Sequence, residues 1–197
     1  MKQLLRSHVM IPIVILLGII ALILGLIARW HDSPEQATPT DGQSASTEEP
    51  ARLDAWARPT TTDPREMAIA YARAIWTYDT SVHSYFEWQD AVSVFADPTG
   101  DSPRVAKSLL PMWSEWKQLE LHKARASVES VTAETTPELT AMQHNGQAPN
   151  GWTGYVVRGK QTAVLDTETK VVDRQAAVGI VCSSICKFWS ATAQVSP

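Results

Sequence analysis

Residues 63–79 read DPREMAIAYARAIWTYD, and the fold class turns on how this stretch is read. Asp63 is a helix cap, Pro64 suits the first helical position, and Glu66 follows Asp63 by three residues. This is an N-terminal signature, because these side chains satisfy or tolerate the free N–H groups of a first turn. Met67, Tyr71, Ala74 and Tyr78 then recur at spacings of four, three and four, which is one apolar stripe of a helix. Ala70 and Ile75 widen the stripe.

Downstream, Ser84 with Glu87 forms a capping box, and Tyr85, Trp88, Val92 and Phe95 make a second stripe. A loop at 97–101 (DPTGD) precedes Ser102-Pro103, which opens a third helix carrying Val105, Leu109, Met112 and Trp116. Pro111 is expected to kink or split that helix, since it lacks an N–H and clashes with the preceding turn. After residue 118 the pattern changes to Val, Thr, Tyr and Ala enrichment. Strands are predicted at 119–132, 152–165, 169–182 and 186–195, with Asp166-Thr167 as a hairpin turn. Residues 135–151, holding Pro137 and two Asn-Gly pairs, are predicted to be a long connection. Helices followed by strands with one polar side imply an α+β domain with a mostly antiparallel four-stranded sheet, half covered by about three helices.

Upstream, residues 9–28 read VMIPIVILLGIIALILGLIA, 20 positions without a charge. As a helix they span about 30 Å, the hydrocarbon thickness of a bilayer. Lys2 and Arg6 precede the run, so the positive-inside rule places residues 1–8 in the cytoplasm as a short stub. The expectation is an uncleaved single-pass anchor in contact with the lipid bilayer, with Trp30 at the outer interface and the remainder extracytoplasmic. A cleaved signal peptide has a shorter apolar core and a small-residue cleavage site, and Ile27-Ala28-Arg29-Trp30 supplies neither. Residues 29–62 are rich in Pro, Ser, Thr, Asp and Glu, and between His31 and Thr62 only Leu53 and Trp56 are large and apolar. Such a composition predicts a disordered, flexible linker. The segment around Leu53 and Trp56 is left either to dock on the domain or a partner, or to be a short helical lead-in that includes Trp56. The folded domain is predicted over 63–197.

The chain has 197 residues, 17 basic and 21 acidic, for a formal charge of −4. That balance argues against a nucleic-acid partner, which needs clustered Lys and Arg. Gly-x-Ser-x-Gly, HExxH, Walker A and GxGxxG motifs are absent from the sequence. His83, His122 and His144 lack ligand spacing, and no cofactor or metal is implied. Asp79 and His83 are the weak polar candidates. An Asp–His pair can do acid–base work in a pocket, while the plainer reading is a solvated helix end. The plainer reading is favoured, and a non-catalytic protein is expected.

Cys182 and Cys186 flank Ser183-Ser184-Ile185 between the last two strands. An extracytoplasmic compartment and a three-residue hairpin loop favour a disulfide, with unpaired thiols and a metal site as the alternatives. Of eight tryptophans, Trp88 and Trp116 lie on core stripes. Trp76 and Trp113 lie off them, which leaves ordinary packing, a concave pocket or a partner surface.

The segments 63–79 and 84–92 (SYFEWQDAV), with the last hairpin around Trp189, resemble the nuclear transport factor 2-like superfamily. Where that family has Gly before the Trp of the last strand, this chain has Cys186-Lys187-Phe188-Trp189. With its anchor, the layout is similar to the bitopic scaffold subunit of type IV secretion systems and to TcpC-like conjugation proteins. The resemblance implies a cone-shaped domain on a curved sheet and a structural role in a conjugation or secretion channel of a bacterial cell membrane. It further implies other membrane or channel proteins as partners and self-association into a homo-oligomer. Two other functions are carried beside it: an accessory membrane protein of another envelope system, such as actinobacterial lipid import, and a ligand binder or enzyme using the cone's cavity. Fold alone does not choose among them.

Overall fold

The computed structural model describes residues 51–98, 101–146 and 148–193. The anticipated membrane segment 9–28 and most of the linker lie outside these residues. Among the described residues no helix is long and apolar enough to cross a membrane.

The first helix, α1, runs Pro64–Trp76, and the Asp63 carboxylate accepts the Arg65 N–H at 2.8 Å. Its predicted stripe is buried at Met67, Tyr71 and Ala74. The helix stops before Tyr78, which the stripe had included. The backbone turns extended there, and β1, Tyr78–Asp79, pairs antiparallel with Ala126 and Arg125. The carbonyls at the helix end are taken by long-range donors: Gln161 Nε2 donates to Trp76 O at 2.6 Å and the Trp56 indole to Thr77 O at 2.8 Å.

The second helix, α2, is Tyr85–Ser93, with its capping box closed in both directions. Ser84 N–H donates to Glu87 Oε2 at 2.6 Å, and Glu87 N–H donates to Ser84 Oγ at 3.3 Å. Donation to the carboxylate from the Ser84 N–H first, and from the Ser84 hydroxyl next, favours its charged form and holds the Glu87 pKa below its ordinary value. A depressed folded-state pKa contributes stability above the unfolded pKa and loses it as pH falls through the folded value. Glu87→Gln is therefore expected to flatten the stability profile on the acid side, with the smallest difference from the unsubstituted chain at the lowest pH. Denaturant midpoints across that range check this, and identical acid slopes for the two chains would refute it.

Pro111 splits the third helix. The pieces are α3, Ser102–Ala106, then a 3-10 turn Lys107–Leu109, and α4, Trp113–Leu121. The strand predicted at 119–132 begins later, because α4 occupies 119–121; β2 is Arg125–Glu134. The predicted connection 135–151 contains a further helix, α5, Pro137–His144, capped by Thr136 Oγ1 on the Leu139 N–H at 3.3 Å. Strands β3 (Trp152–Leu165), β4 (Glu168–Cys182) and β5 (Cys186–Ala193) complete the chain.

The fold is α+β, and among the described residues the sheet has five strands rather than four in the order β1-β2-β3-β4-β5, all antiparallel. The sheet curls, with register shifts between Glu129 and Thr132 and between Gly179 and Ile180. The core lies between the sheet and the helices. Tyr71 of α1 stacks on Phe188 of β5 at 4.3 Å, and Trp88, Trp116, Phe95 and Ile180 are fully buried beside them.

Residues 51–62, at the end of the predicted flexible linker, pack against this core. Asp54–Trp56 form a 3-10 turn, and Trp56 is 1% exposed. Arg58 Nη2 donates to Cys186 O at 3.2 Å, and Cys186 N–H donates to Thr61 O at 2.9 Å. Composition underrated this stretch because one indole with two backbone anchors suffices to hold it. Leu53 packs there too, so two of the alternatives left for these residues hold together: the segment docks on the domain, and Trp56 sits in a short helical lead-in.

Candidate functional site

An aromatic column runs from the core to the surface across α2 and α4. Tyr78 and Trp88 have ring centroids 5.1 Å apart, and Trp88 and Trp116 are 5.4 Å apart. Tyr85 links Trp116 at 5.6 Å to Trp113 at 5.4 Å, and Phe86 lies 5.5 Å from Trp113. The inner members are buried, while Phe86 is 64% exposed and Trp113 46%. Met112, just before α4, is exposed as well.

Local chemistry fixes this surface. Tyr85 Oη donates to Pro111 O at 2.5 Å, which ties the break before α4 to α2. Glu115 Oε2 accepts the Met112 N–H at 2.7 Å, capping α4 and setting its phase. Trp116 then points inward, its indole donating to Glu120 Oε1 at 2.6 Å, and Trp113 points outward. Lys117 Nζ sits 4.6 Å from the Trp113 ring centroid and 2.5 Å from Glu120 Oε2. An exposed, pre-positioned Trp–Phe pair with a cation on its rim has the composition of a protein-contact hot spot. Monomer surfaces seldom leave several large apolar side chains clustered in water.

The other off-stripe tryptophan, Trp76, is buried and lines a half-open cleft of about 570 Å³ between the helices and the sheet. Tyr78, Trp88, Gln161 and Arg174 also line it. Gln161 is 2% exposed and fully engaged: it donates to Trp76 O and accepts from Arg174 Nε at 2.7 Å. Burial raises the Tyr78 pKa, and the Arg174 charge opposes that shift. The residue order offered no sign of Gln161, since a Gln at one position of a strand reads as solvent-facing.

Asp79 and His83 do not form an acid–base pair. The Asp79 carboxylate accepts from Ser81 N at 3.0 Å and Ser81 Oγ at 2.5 Å, and His83 meets Asp79 only through its N–H on the Asp79 carbonyl at 3.0 Å. The His83 ring is buried against Trp56 at 4.7 Å, with Nδ1 3.8 Å from Glu87 Oε1. The bland alternative, a helix end with solvated polar groups, fits neither residue: Asp79 is a half-buried member of β1 paired with Arg125, and His83 is buried. Cys182 and Cys186 are joined by a disulfide across Ser183–Ile185, with Cα atoms 4.1 Å apart. Among the described residues no three His, Cys, Asp or Glu side chains converge as metal ligands.

The geometry defines an α+β domain whose helical layer exposes Phe86 and Trp113, and whose buried Tyr78 and Trp88 also line the half-open cleft. No family model, curated protein or solved structure matches the chain.

Proposed function

We propose that the chain is a non-catalytic, single-pass scaffold of a bacterial cell membrane. It holds its extracytoplasmic domain against other components of a conjugation or type IV secretion-like channel. The observation that carries this reading is the exposed Phe86–Trp113 pair, held in place from below by Tyr85 and Trp116. Together with the apolar run 9–28 it gives an anchored domain with a rigid sticky face. Tethering at one membrane raises effective concentration, so a small contact suffices.

Crosslinking the full-length protein in native membranes tests the reading. Recovery of channel subunits is expected, and Phe86→Ala/Trp113→Ala should lower it at least about tenfold, the effect of losing a hot-spot pair. Abundance of the protein should hold, since both side chains are largely exposed. Recovery of lipid-import proteins instead, or unchanged recovery with the double variant, would overturn the assignment.

The cleft supports a second reading, a binder of a small molecule with aromatic walls from Trp76 and Trp88 and a cation from Arg174. Its volume is within the range of ligand sites. A bound small molecule extracted from purified protein, with no partner crosslinked, would favour it.

A further inference from the structure

Strand β4 runs from Glu168 to Cys182, and among the described residues β5 pairs with its Ala176–Cys182 part. Cys182 N–H donates to Gly151 O across β3, and the β3–β4 register is continuous from Trp152↔Val181 to Leu165↔Glu168. Backbone groups alternate sides along an antiparallel strand. Even-numbered residues of β4 therefore bond to β3, and Thr169, Val171 and Asp173 direct their N–H and C=O groups to the other side. No described strand pairs there. Val171 is 59% exposed and Val172 is exposed as well.

An open edge of this kind is a template for another strand unless it is blunted. The outer side of β2 is blunted: it carries a bulge with Ser130 at φ 53°, exposed Glu129 and Glu134, and Arg65 Nε on Ala133 O at 2.8 Å. The β4 edge has no bulge. Its hairpin is also held firmly, since His122 Nδ1 meets Asp166 Oδ2 at 2.8 Å and Asp166 N–H donates to His122 O at 2.9 Å.

We propose that residues 168–174 of β4 pair antiparallel with the same residues of a second copy of this chain, in the register that places Val171 opposite Val171. Two-fold symmetry allows only registers that set one residue opposite itself. Centring on Lys170 or Asp173 sets like charges face to face, and centring on Val172 sets Lys170 opposite Arg174. Centring on Thr169 joins only residues 168–170. Centring on Val171 sets Glu168 opposite Arg174 twice, Thr169 opposite Asp173 twice, and two valines at the axis. Cross-strand pairs of opposite charge and of β-branched side chains stabilise a sheet. The inference is independent of the channel assignment, because it rests on the strand edge alone.

Cysteine crosslinking of the full-length protein in native membranes tests it, with Cys182 and Cys186 already bonded to each other. A hydrogen-bonded antiparallel pair sets Cα atoms about 5.5 Å apart, within disulfide reach. Val171→Cys should give the dominant oxidised dimer. Thr169→Cys and Asp173→Cys should give little alone, because like positions are then about 13 Å apart, and should crosslink when co-expressed. Glu168→Arg in the Val171→Cys background, which sets an arginine opposite Arg174 twice, should lower the dimer about fivefold, while Glu168→Asp should keep it. A Val171→Cys dimer no stronger than that of Glu129→Cys would overturn the proposal. So would a dimer that forms only after residues 194–197 are deleted, since the chain's own end would then occupy the edge.

Discussion

Trp56→Ala is expected to cost about 3–5 kcal/mol of folding stability, the range for truncating a buried aromatic side chain. Three losses combine. The side chain is sealed in the core, so a cavity replaces it. The Thr77 carbonyl loses its indole donor at the end of α1. His83 loses its ring neighbour. Trp56→Phe separates these effects: it keeps most of the volume and removes the donor, and about 1–2 kcal/mol is expected from the unsatisfied carbonyl. Chemical denaturation of the full-length protein, followed by near-ultraviolet circular dichroism, reads both. A loss below about 1 kcal/mol for Trp56→Ala would mean that the segment only rests on the domain, as its composition implied.

That segment also shows where reading by composition stops. Proline, serine and threonine around Trp56 describe the average solvation of the stretch, whereas its placement depends on the indole meeting a carbonyl 21 positions away and on Arg58 and Thr61 meeting Cys186. The same holds for Gln161, whose two partners lie 85 and 13 positions away. None of these contacts has a local period to betray it. Local signals fared better. The Asp63-Pro64 start, the Ser84–Glu87 box and the break at Pro111 all depend on neighbours within four residues, and each stands where the sequence put it. The cysteine pair rests on a three-residue loop together with an expected oxidising compartment, and the loop is its local part.

Some local signals were outvoted. Tyr78 continues the helical spacing, yet it is extended because pairing with Ala126 and burial against Trp88 and Trp116 outweigh one more helical turn. Trp76 lies off the stripe and is buried anyway, because β3 runs beside it: its ring lies against Gly159 and Gln161 donates to its carbonyl. The helix at Pro137 had a readable start in Thr136-Pro137-Glu138, hidden among turn-forming residues on both sides. The aromatic surface was half legible. Of the predicted stripe Val105, Leu109, Met112 and Trp116 only Trp116 is buried and Met112 is exposed, because the split at Pro111 ends the spacing and the Glu115 cap resets the phase of α4, turning Trp113 outward beside Phe86.

The entry into the β3–β4 pair gives the second large effect. Gly151 has φ 77°, and a Cβ placed on it would lie 2.3 Å from the Cys182 carbonyl oxygen. The Cys182 N–H donates to Gly151 O, so the two backbones are held at that separation from both sides. Cys182 cannot move away freely, because it is bonded to Cys186, which is itself buried and tied to Thr61 and Arg58. Gly151→Ala therefore adds a left-handed backbone cost of about 1–2 kcal/mol to the loss of a backbone hydrogen bond, about 1–3 kcal/mol when the partner is left unsatisfied. A loss of about 3 kcal/mol is expected. Gly146→Ala supplies the comparison, since Gly146 has φ 68° and no atom within 4 Å of its added Cβ. It should show the backbone cost alone, about 1 kcal/mol. Denaturant midpoints of the two variants decide the point: a gap between them measures the close approach of β4 to the turn before β3, and equal losses would show that the turn yields and the approach constrains nothing.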